Sequence, residues 1–194
     1  MAERRSPLAA YAPAFAAAGG SGAVRLAELP FLTQVGLRVD AESPAAGRLA
    51  RALDAPLPVE PNTFARSGEL TVLWLGPDEW LVVGPGGAQA ALVERLASAA
   101  GAEHVSVVDV SARRTTLAVA GPRARDLLAH GCALDLHPDV FGTGRCAQTM
   151  LARANVVLVA RSDSAPEFWV LCGSSYAGYM ADWLLDAATE YTRQ

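Results

Sequence analysis

The side chains that most often carry out enzyme chemistry are few in this sequence and widely spaced. There are three histidines and three cysteines: His104, His130, His137, Cys132, Cys146 and Cys172. No histidine belongs to an HExxH arrangement and no CxxC pair is present. His130 lies two residues before Cys132 at a helix end, which fixes no nucleophile–base geometry. We expect unpaired, buried cysteines of a structural kind and no catalytic residue in the chain.

One short segment places three potential metal ligands close together. Asp135, His137 and Asp139 alternate in Asp-Leu-His-Pro-Asp. Residues two apart in a proline-containing loop need not converge on one ion, and no second cluster completes a coordination shell. We therefore expect an exposed loop here and no metal site.

Two glycine-rich segments and one basic pair are further candidates for binding. The segments 84–87 and 142–144 match neither GxGxxG nor GxxxxGK[ST], which favours plain turns over a nucleotide site. The pair Arg113 and Arg114 has two interpretations. It holds a carboxylate or an acidic loop of a partner, or it is solvated, as most arginines are. We expect no cofactor-binding residue in this chain.

Composition narrows the class of protein. The chain has 194 residues, 52% hydrophobic and 19% charged, with a net charge of -4. This acidic balance lacks the basic footprint of a nucleic-acid-binding protein. No stretch approaches the roughly 18 apolar residues of a membrane span, and prolines and glycines interrupt residues 1–30 too often for a secretory signal. With unpaired cysteines, these features predict a cytoplasmic protein.

Apolar periodicity predicts helices and strands in an order that nearly repeats. The first half reads strand, helix, hairpin, helix, strand: 35–39, 44–53, 70–75, 80–83, 88–100 and 105–110. The second half reads strand, helix, three strands, helix: 115–119, 121 to about 131, 147–151, 156–160, 168–172 and 176–191. Between the first helix and the hairpin, three prolines enforce an extended loop.

The last predicted helix carries an apolar stripe with helical spacing. Its members are Tyr176, Tyr179, Met180, Trp183, Leu184, Ala187, Ala188 and Tyr191. Two interpretations remain open: the stripe binds a partner, or it packs on the sheet of its own domain, which is the commoner case.

These elements predict an α+β fold of two ferredoxin-like halves, since strand–helix–strand–strand–helix–strand is the split βαβ pattern. We place the halves at about 30–110 and 111–194, within a single compact unit spanning residues 25–194. Residues 1–24 are rich in Ala, Gly and Ser. We predict that they form a flexible N-terminal arm.

Five segments resemble the gamma subunit of heterotetrameric sarcosine oxidase, and residues 25–191 follow that pattern in order. The distinctive ones contain Gly-Pro-Asp-Glu-Trp and Gly-Cys-Ala-Leu-Asp-Leu. All five are Leu29–Val35, Glu60–Thr63, Trp74–Leu81, Asp109–Arg113 and Gly131–Leu136. The segments Asp109–Ser111 and Gly121–Leu128 are also similar to the folate-binding aminomethyltransferase fold, in particular to the N-terminal domain of the glycine cleavage T-protein.

The second resemblance includes one departure. T-proteins place a carboxylate pair after a strand, whereas the corresponding stretch here, 152–157, has Asn155 and no Asp or Glu. A neutral amide cannot act as a general base or stabilise a developing iminium charge. The resemblance thus implies that the fold was kept and the folate chemistry lost.

The sarcosine oxidase resemblance implies a role within a complex. In that family, alpha, beta and delta subunits hold FAD, FMN, NAD, tetrahydrofolate and zinc. The enzyme demethylates sarcosine to glycine, with hydrogen peroxide and formaldehyde or methylenetetrahydrofolate. No functional residue of the family maps onto this chain, so the resemblance implies a structural, non-catalytic subunit. The alternatives are a stand-alone folate-binding protein and a scaffold for an unrelated dehydrogenase.

Overall fold

The computed structural model describes residues 4–191, which form two compact units. Unit 1 joins the residues before Phe31 to those from Arg113 onward, and unit 2 is Phe31–Ala112. The strands are β1 Arg25–Leu29, β2 Thr33–Arg38, β3 Phe64–Ser67, β4 Leu70–Gly76, β5 Glu79–Gly84, β6 Ser106–Asp109, β7 Arg114–Ala120, β8 Cys146–Leu151, β9 Ala154–Ser162 and β10 Glu167–Gly173. The helices are α1 Ala12–Ala18, α2 Pro44–Leu53, α3 Gln89–Ala100, α4 Ala124–Ala129 and α5 Ala177–Ala188, with short 3-10 turns besides.

Unit 2 has the ferredoxin-like strand order that the sequence predicts. Its antiparallel sheet runs β3-β4-β5-β2-β6. Helix α2 has the predicted bounds because its signals are local. The Ser43 hydroxyl accepts a hydrogen bond from the Ala46 N–H at 3.3 Å, and Pro44 occupies the first turn. Leu49 and Leu53 of the same helix are buried in the core.

The centre of the unit 2 core is the indole of Trp80, which is fully buried. Its Nε1–H donates to the carbonyl of Pro58 at 2.8 Å. A buried indole needs such a partner, so this bond fixes the proline-rich loop against the core. That loop leads into β3, a strand that the sequence analysis did not anticipate. Three prolines just before it masked its pattern.

Unit 1 completes the same strand order in a different way. Its antiparallel sheet runs β1-β7-β10-β9-β8. The split βαβ pattern has four strands. In unit 1 its first three positions are taken by β7, β9 and β10. Among the described residues, no strand follows β10 to take the fourth position. The N-terminal β1 fills that place, with Arg25 opposite Ala120 and Leu29 opposite Thr116. The mixed α+β class with two such sheets is as predicted.

Residues 4–24 contribute to the core of unit 1. Helix α1 and the 3-10 turns on either side of it lie where the composition predicts a flexible arm. Leu8, Phe15 and Val24 are 1 to 3% exposed and belong to the unit 1 core. These apolar anchors are spaced too widely among alanines and glycines to give a periodic signal.

Two details of α4 differ from the prediction. The helix begins at Ala124, after Gly121 and Pro122. Gly121 has φ 113°, and a Cβ there would lie 2.5 Å from the Ala23 carbonyl oxygen, so the glycine permits a close approach of the segment that leads into β1. Gly131 is not a left-handed cap. A Cβ on it would lie 2.6 Å from Trp183 of α5.

Most residues of the apolar stripe predicted for helix α5 pack against the core of its own unit. Met180, Leu184 and Ala188 are fully buried in the unit 1 core. Tyr176 and Tyr179 differ, with exposed fractions of 52% and 39%. Within residues 4–191, no helix combines the length and apolar character needed to cross a membrane.

Candidate functional site

A cleft of about 610 Å³ opens at one end of the unit 1 sheet. Its walls come from the ends of β7, β8, β9 and β10 and from the 3-10 turn that leads into α5. We call it the Gly173 cleft, after one of the residues that line it. Its volume lies in the range of pockets that bind ligands.

A row of residues across neighbouring strands forms the floor of the cleft. Arg114 of β7 lies opposite Gly173 of β10. Cys172 pairs with Val156 of β9, so the next residues along, Gly173 and Asn155, are neighbours. Cys172 and Val156 point into the core. Because side chains alternate between faces, Arg114 and Asn155 lie on the opposite face.

Gly173 leaves a gap in this row. Its backbone has φ −56° and ψ 137°, which any residue adopts. A Cβ built on it would lie 3.6 Å from Tyr176, an ordinary contact. Neither the backbone nor the packing therefore requires glycine here. The space between Arg114 and Asn155 in this row therefore holds no side chain.

Large apolar side chains border the cleft. Met150 and Tyr176 are each 52% exposed. Tyr179 lies one helical turn beyond Tyr176, and its hydroxyl accepts a hydrogen bond from the Arg153 N–H at 3.2 Å. Arg153 is in the turn between β8 and β9. The cleft therefore combines a polar floor with an apolar border.

Two arginines line the Gly173 cleft. They are Arg113 and Arg114, and the lining among the described residues includes no Asp or Glu. The first turn of α5 carries no acidic side chain and no side-chain cap, so its partial positive charge adds to that of the arginines. Among the described residues, its lining has no carboxylate, histidine or cysteine, and the hydroxyl groups in it belong to Thr149, Ser175 and Tyr176.

The sequence analysis considered the arginine pair and Asn155 separately, and the structure brings them together in one cleft. The grouping depends on strand register, which the sequence analysis did not resolve. The sequence analysis did not select Gly173, because a glycine has no functional group and matters here only for the space that it leaves between its neighbours.

The histidines lie apart from this cleft. His104 is exposed. At the end of α4, His130 Nε2 lies 3.2 Å from the Tyr191 hydroxyl and 3.7 Å from Glu190. His137 Nδ1 lies 3.5 Å from Asp139 Oδ2. These contacts are local, and each has a structural interpretation.

The three cysteines are unpaired and buried. Burial raises the pKa of the Cys172 thiol to about 11, and the charge of Glu28 acts in the same direction. A thiol with a raised pKa is a poor nucleophile, because the thiolate is the reactive form.

The Asp135–Asp139 segment folds as a loop held by its own side chains. Asp135 Oδ1 accepts a hydrogen bond from the His137 N–H at 2.9 Å, and His137 Nδ1 accepts one from the Asp139 N–H at 3.3 Å. Across residues 4–191, no three His, Cys, Asp or Glu side chains are grouped so as to hold a metal ion.

A polar network centred on Arg125 was not foreseen. Arg125 donates to the carbonyl oxygens of Leu136 and Phe141 and to the Asp163 carboxylate. Asp163 Oδ2 also accepts the Thr143 N–H at 2.6 Å. Burial acts to raise the pKa of Asp163, but the Thr143 hydrogen bond and the Arg125 charge outweigh it and hold the pKa below its ordinary value. Its partners lie up to 38 residues apart, so no local motif marks it.

The fold is that of the aminomethyltransferase T class. The chain superposes with a TM-score of 0.65 on the glycine cleavage system aminomethyltransferase T from Bartonella henselae, at 16% identity, over 89% of this chain and 48% of that one. Identity this low shows the fold alone.

Sequence similarity identifies the family. A model of the sarcosine oxidase, gamma subunit family matches residues 38–190. The chain is 40% identical to sarcosine oxidase subunit gamma of Arthrobacter sp over 189 residues, which is 97% of this chain and 91% of the relative. It superposes with a TM-score of 0.90, at 38% identity, on a chain of the heterotetrameric sarcosine oxidase from Corynebacterium sp. U-96, over 98% of this chain and 97% of that chain. The chain belongs to the sarcosine oxidase gamma subunit family.

The cleft offers one comparison with the expectation that the folate chemistry was lost. The stretch that the sequence resemblance compares with the carboxylate pair, residues 152–157, is the β8–β9 turn and the start of β9, and Asn155 of this stretch lines the Gly173 cleft. Its lining among the described residues includes no Asp, Glu or His, the usual general bases.

Proposed function

We propose that this chain is a non-catalytic accessory subunit of a heterotetrameric sarcosine oxidase, assembled with alpha, beta and delta subunits. The observation that carries the proposal is near-complete similarity to curated gamma subunits and to a chain of a solved heterotetrameric oxidase, with a TM-score of 0.90.

The partner subunits hold the chemistry in this proposal. FAD, FMN, NAD, tetrahydrofolate and zinc belong to them, and the assembled enzyme demethylates sarcosine to glycine with hydrogen peroxide and formaldehyde or methylenetetrahydrofolate. The dispersed histidines and the buried thiols of this chain support that division. Three unpaired cysteines also support assembly in the reducing cytoplasm.

The test is co-expression of this chain with the other three subunits, followed by activity measurements on intact complexes. We would replace each histidine and each cysteine by alanine: His104, His130, His137, Cys132, Cys146 and Cys172. Sarcosine oxidation should stay within roughly threefold of the parent, under about 1 kcal/mol on the transition-state scale. A hundredfold loss in a fully assembled variant would locate a catalytic group in this chain. Failure of the parent chain to co-purify would reject the accessory role.

A stand-alone folate-binding protein is the second candidate, favoured by the aminomethyltransferase T fold. Calorimetric titration of the isolated chain with tetrahydrofolate distinguishes the two. Micromolar or tighter binding would favour this candidate, and no heat of binding would remove it.

A further inference from the structure

We infer that the free edge of β1 is the docking site for an extended strand of another subunit of the oxidase, which would lengthen the five-stranded sheet of unit 1 by one strand. The inference rests on the proposed accessory role and adds the surface and the kind of contact. The evidence consists of the unpaired backbone groups of β1, the groove beside them and the charge of Arg25.

Strand β1 is at the edge of the unit 1 sheet, with β7 on one side and no strand on the other among the described residues. The register shows which backbone groups face that edge. Gly121 lies opposite Pro166 in the continued register of β7 and β10, and its N–H donates to the Pro166 carbonyl at 2.9 Å. Because backbone groups alternate in direction along a strand, the even-numbered residues of β7 direct theirs toward β1.

Two residues of β1 therefore direct their backbone groups away from β7. Arg25, Ala27 and Leu29 lie opposite even-numbered residues of β7 and bond to that strand. The N–H and C=O groups of Leu26 and Glu28 consequently point to the free edge. Within residues 4–191, these four groups have no hydrogen-bonding partner. An extended segment can bond to all of them, as in the recognition of peptides by strand addition.

A groove runs along this edge, between β1 and the N-terminal segment. It has two parts, of about 480 and 420 Å³, which share the lining residues Phe15, Ala16, Leu26 and Ala27. We call it the β1 groove. Its wall on the side of α1 carries no charge, since residues 6–24 contain no charged side chain. The groove therefore offers apolar walls to the side chains of a strand that bonds to the edge.

The β1 groove suits a strand of a different subunit better than a second copy of this chain. A second copy would reach the edge with its own β1, and that strand has α1 packed beside it. Two such helices would then compete for one groove. A small ligand would also fit poorly, because the edge groups repeat at the spacing of alternate strand residues, about 6.8 Å, which a second strand matches along its length.

The charge of Arg25 specifies one residue of the incoming strand. Its side chain is exposed and forms no ion pair within the described part of the chain. Leu26 is in the core, so Arg25 lies on the outer face, where its neighbour on β7 is the uncharged Ala120. Opposite charges stabilise directly paired strand residues. We therefore expect an Asp or Glu opposite Arg25 on the incoming strand.

The two carboxylates that border the groove are compatible with this assignment. The Glu28 carboxylate accepts hydrogen bonds from Ser6 and Thr115, each at 2.6 Å. Glu167 lies on β10, so β1 and β7 separate it from the incoming strand. Arg25 is thus the charged side chain nearest to the incoming strand on the outer face.

The first test measures hydrogen exchange of single backbone amides in the isolated chain and in the assembled oxidase. The amides of Leu26 and Glu28 should exchange rapidly in the isolated chain and at least about a hundredfold more slowly in the complex. Those of Ala27 and Leu29 should be protected in both, because they bond to β7. Rapid exchange of Leu26 and Glu28 in the complex would overturn the inference.

The second test removes one edge donor. Glu28→Pro and Glu28→Ala both lose the contacts to Ser6 and Thr115, but only proline also lacks the N–H. Proline is tolerated in an edge strand where the N–H faces away from the sheet. We expect Glu28→Pro to associate with the other subunits at least about tenfold more weakly than Glu28→Ala. Equal affinities of the two variants, with parental circular dichroism spectra, would contradict strand addition.

The third test fills the groove and leaves β1 unchanged, so it decides the question even if Glu28→Pro misfolds. Ala16→Trp places a large side chain on the α1 wall of the groove. Ala14→Trp is the matched control, because Ala14 is an exposed alanine of the same helix that lines neither part of the groove. We expect at least about tenfold weaker association for Ala16→Trp and parental association for Ala14→Trp. The same affinity for both would mean that the groove is empty in the complex.

Two further measurements identify the occupant. A photo-crosslinking amino acid in place of Ala12, in the wall of the groove, should crosslink to a different subunit, at a segment that contains Asp or Glu. Arg25→Glu should weaken association by at least about threefold. Arg66→Glu, at an exposed arginine of the edge strand β3, should associate like the parent. Crosslinks to a second copy of this chain, or parental affinity of Arg25→Glu, would show that the occupant is wrongly assigned.

The outcomes separate the two proposals. If the parent chain does not co-purify with the other subunits, the accessory role fails. If it does, and Glu28→Pro and Ala16→Trp associate as well as their controls, the accessory role stands and the docking site is wrong.

Discussion

The guanidinium of Arg125 joins parts of unit 1 that are distant in sequence. It contacts two carbonyl oxygens of the loop after α4, the carboxylate of Asp163 after β9, and the ring of Phe168, whose centroid lies 4.9 Å from its Cζ. The Arg125 side chain is only 15% exposed. Hydrogen bonds shielded from water in this way are stronger than surface ones, and losing one partner leaves the others unsatisfied.

We predict that Arg125→Met destabilises the chain by about 2–4 kcal/mol, because it leaves the Leu136 and Phe141 carbonyls and Asp163 without their donor. Arg123→Met is the control two residues away. Arg123 pairs with Asp126, and both side chains are more than half exposed, so its loss should cost no more than about 0.5 kcal/mol. Urea unfolding of both variants measures the difference. Equal losses would contradict the network.

The lowered pKa of Asp163 predicts how this network responds to acid. A carboxyl whose pKa is lower in the folded state stabilises the fold at pH values above its unfolded pKa, near 3.9. That contribution is lost as the pH falls through the folded pKa.

The difference in unfolding free energy between the parent and Asp163→Asn should therefore be constant from about pH 5 to 7. It should shrink below about pH 4. Denaturant unfolding across this range measures it. A difference that grows on acidification would mean that the pKa is raised instead.

At the scale of elements, the hairpin of β8 and β9 contains a strained turn. Ala152 has φ 51°, in the left-handed region, and its N–H donates to the Gly131 carbonyl at 2.8 Å. An L-residue with a side chain pays roughly 1–2 kcal/mol for this conformation, and glycine does not. The hydrogen bond and the two paired strands hold the alanine there.

We predict that Ala152→Gly stabilises the chain by about 0.5–1 kcal/mol, the strain relieved being partly offset by the greater freedom of glycine in the unfolded state. Ala154→Gly, in the buried start of β9, should instead destabilise it. Thermal unfolding of the two variants gives the signs. A lower melting temperature for Ala152→Gly would show that the turn is not strained.

Elements defined by neighbouring residues were predictable, and those defined by distant ones were not. Helix α2 and the β4–β5 hairpin have capping and turn signals within a few residues. Strand β1 has no such signal, because its pairing with β7 is what makes Arg25–Leu29 a strand. The same reason applies to the Gly173 cleft. The sequence singled out the arginine pair and Asn155, but only register places Gly173 between them.

At the scale of the whole molecule, the two units differ in how their sequence is arranged. Unit 2 is continuous in sequence from Phe31 to Ala112. Unit 1 is discontinuous, because α1 and β1 precede unit 2 in the sequence and the rest of unit 1 follows it. We predict that a fragment of residues 31–112 folds alone with a cooperative unfolding transition. A fragment of residues 113–194 should not fold, because β7 lacks its β1 partner and the core lacks Leu8 and Phe15.

Adding a peptide of residues 1–30 to the second fragment should restore its circular dichroism spectrum, and a Leu8→Asp, Phe15→Asp peptide should not. Folding of residues 113–194 without the peptide would contradict this account of unit 1.

The pairing of β1 with β7 also sets an order of events during synthesis. Glu28 accepts a hydrogen bond from Thr115, 87 residues further along the chain. At about 5–20 residues per second, the N-terminal segment leaves the ribosome on the order of 5–20 s before its partner strand exists. Unit 2 can finish folding within that interval, while Leu8, Phe15 and Leu26 still await burial. Nascent chains in this state are the ones that chaperones bind. We expect the yield of the subunit to depend on chaperone supply and growth temperature more than on the stability of the finished fold.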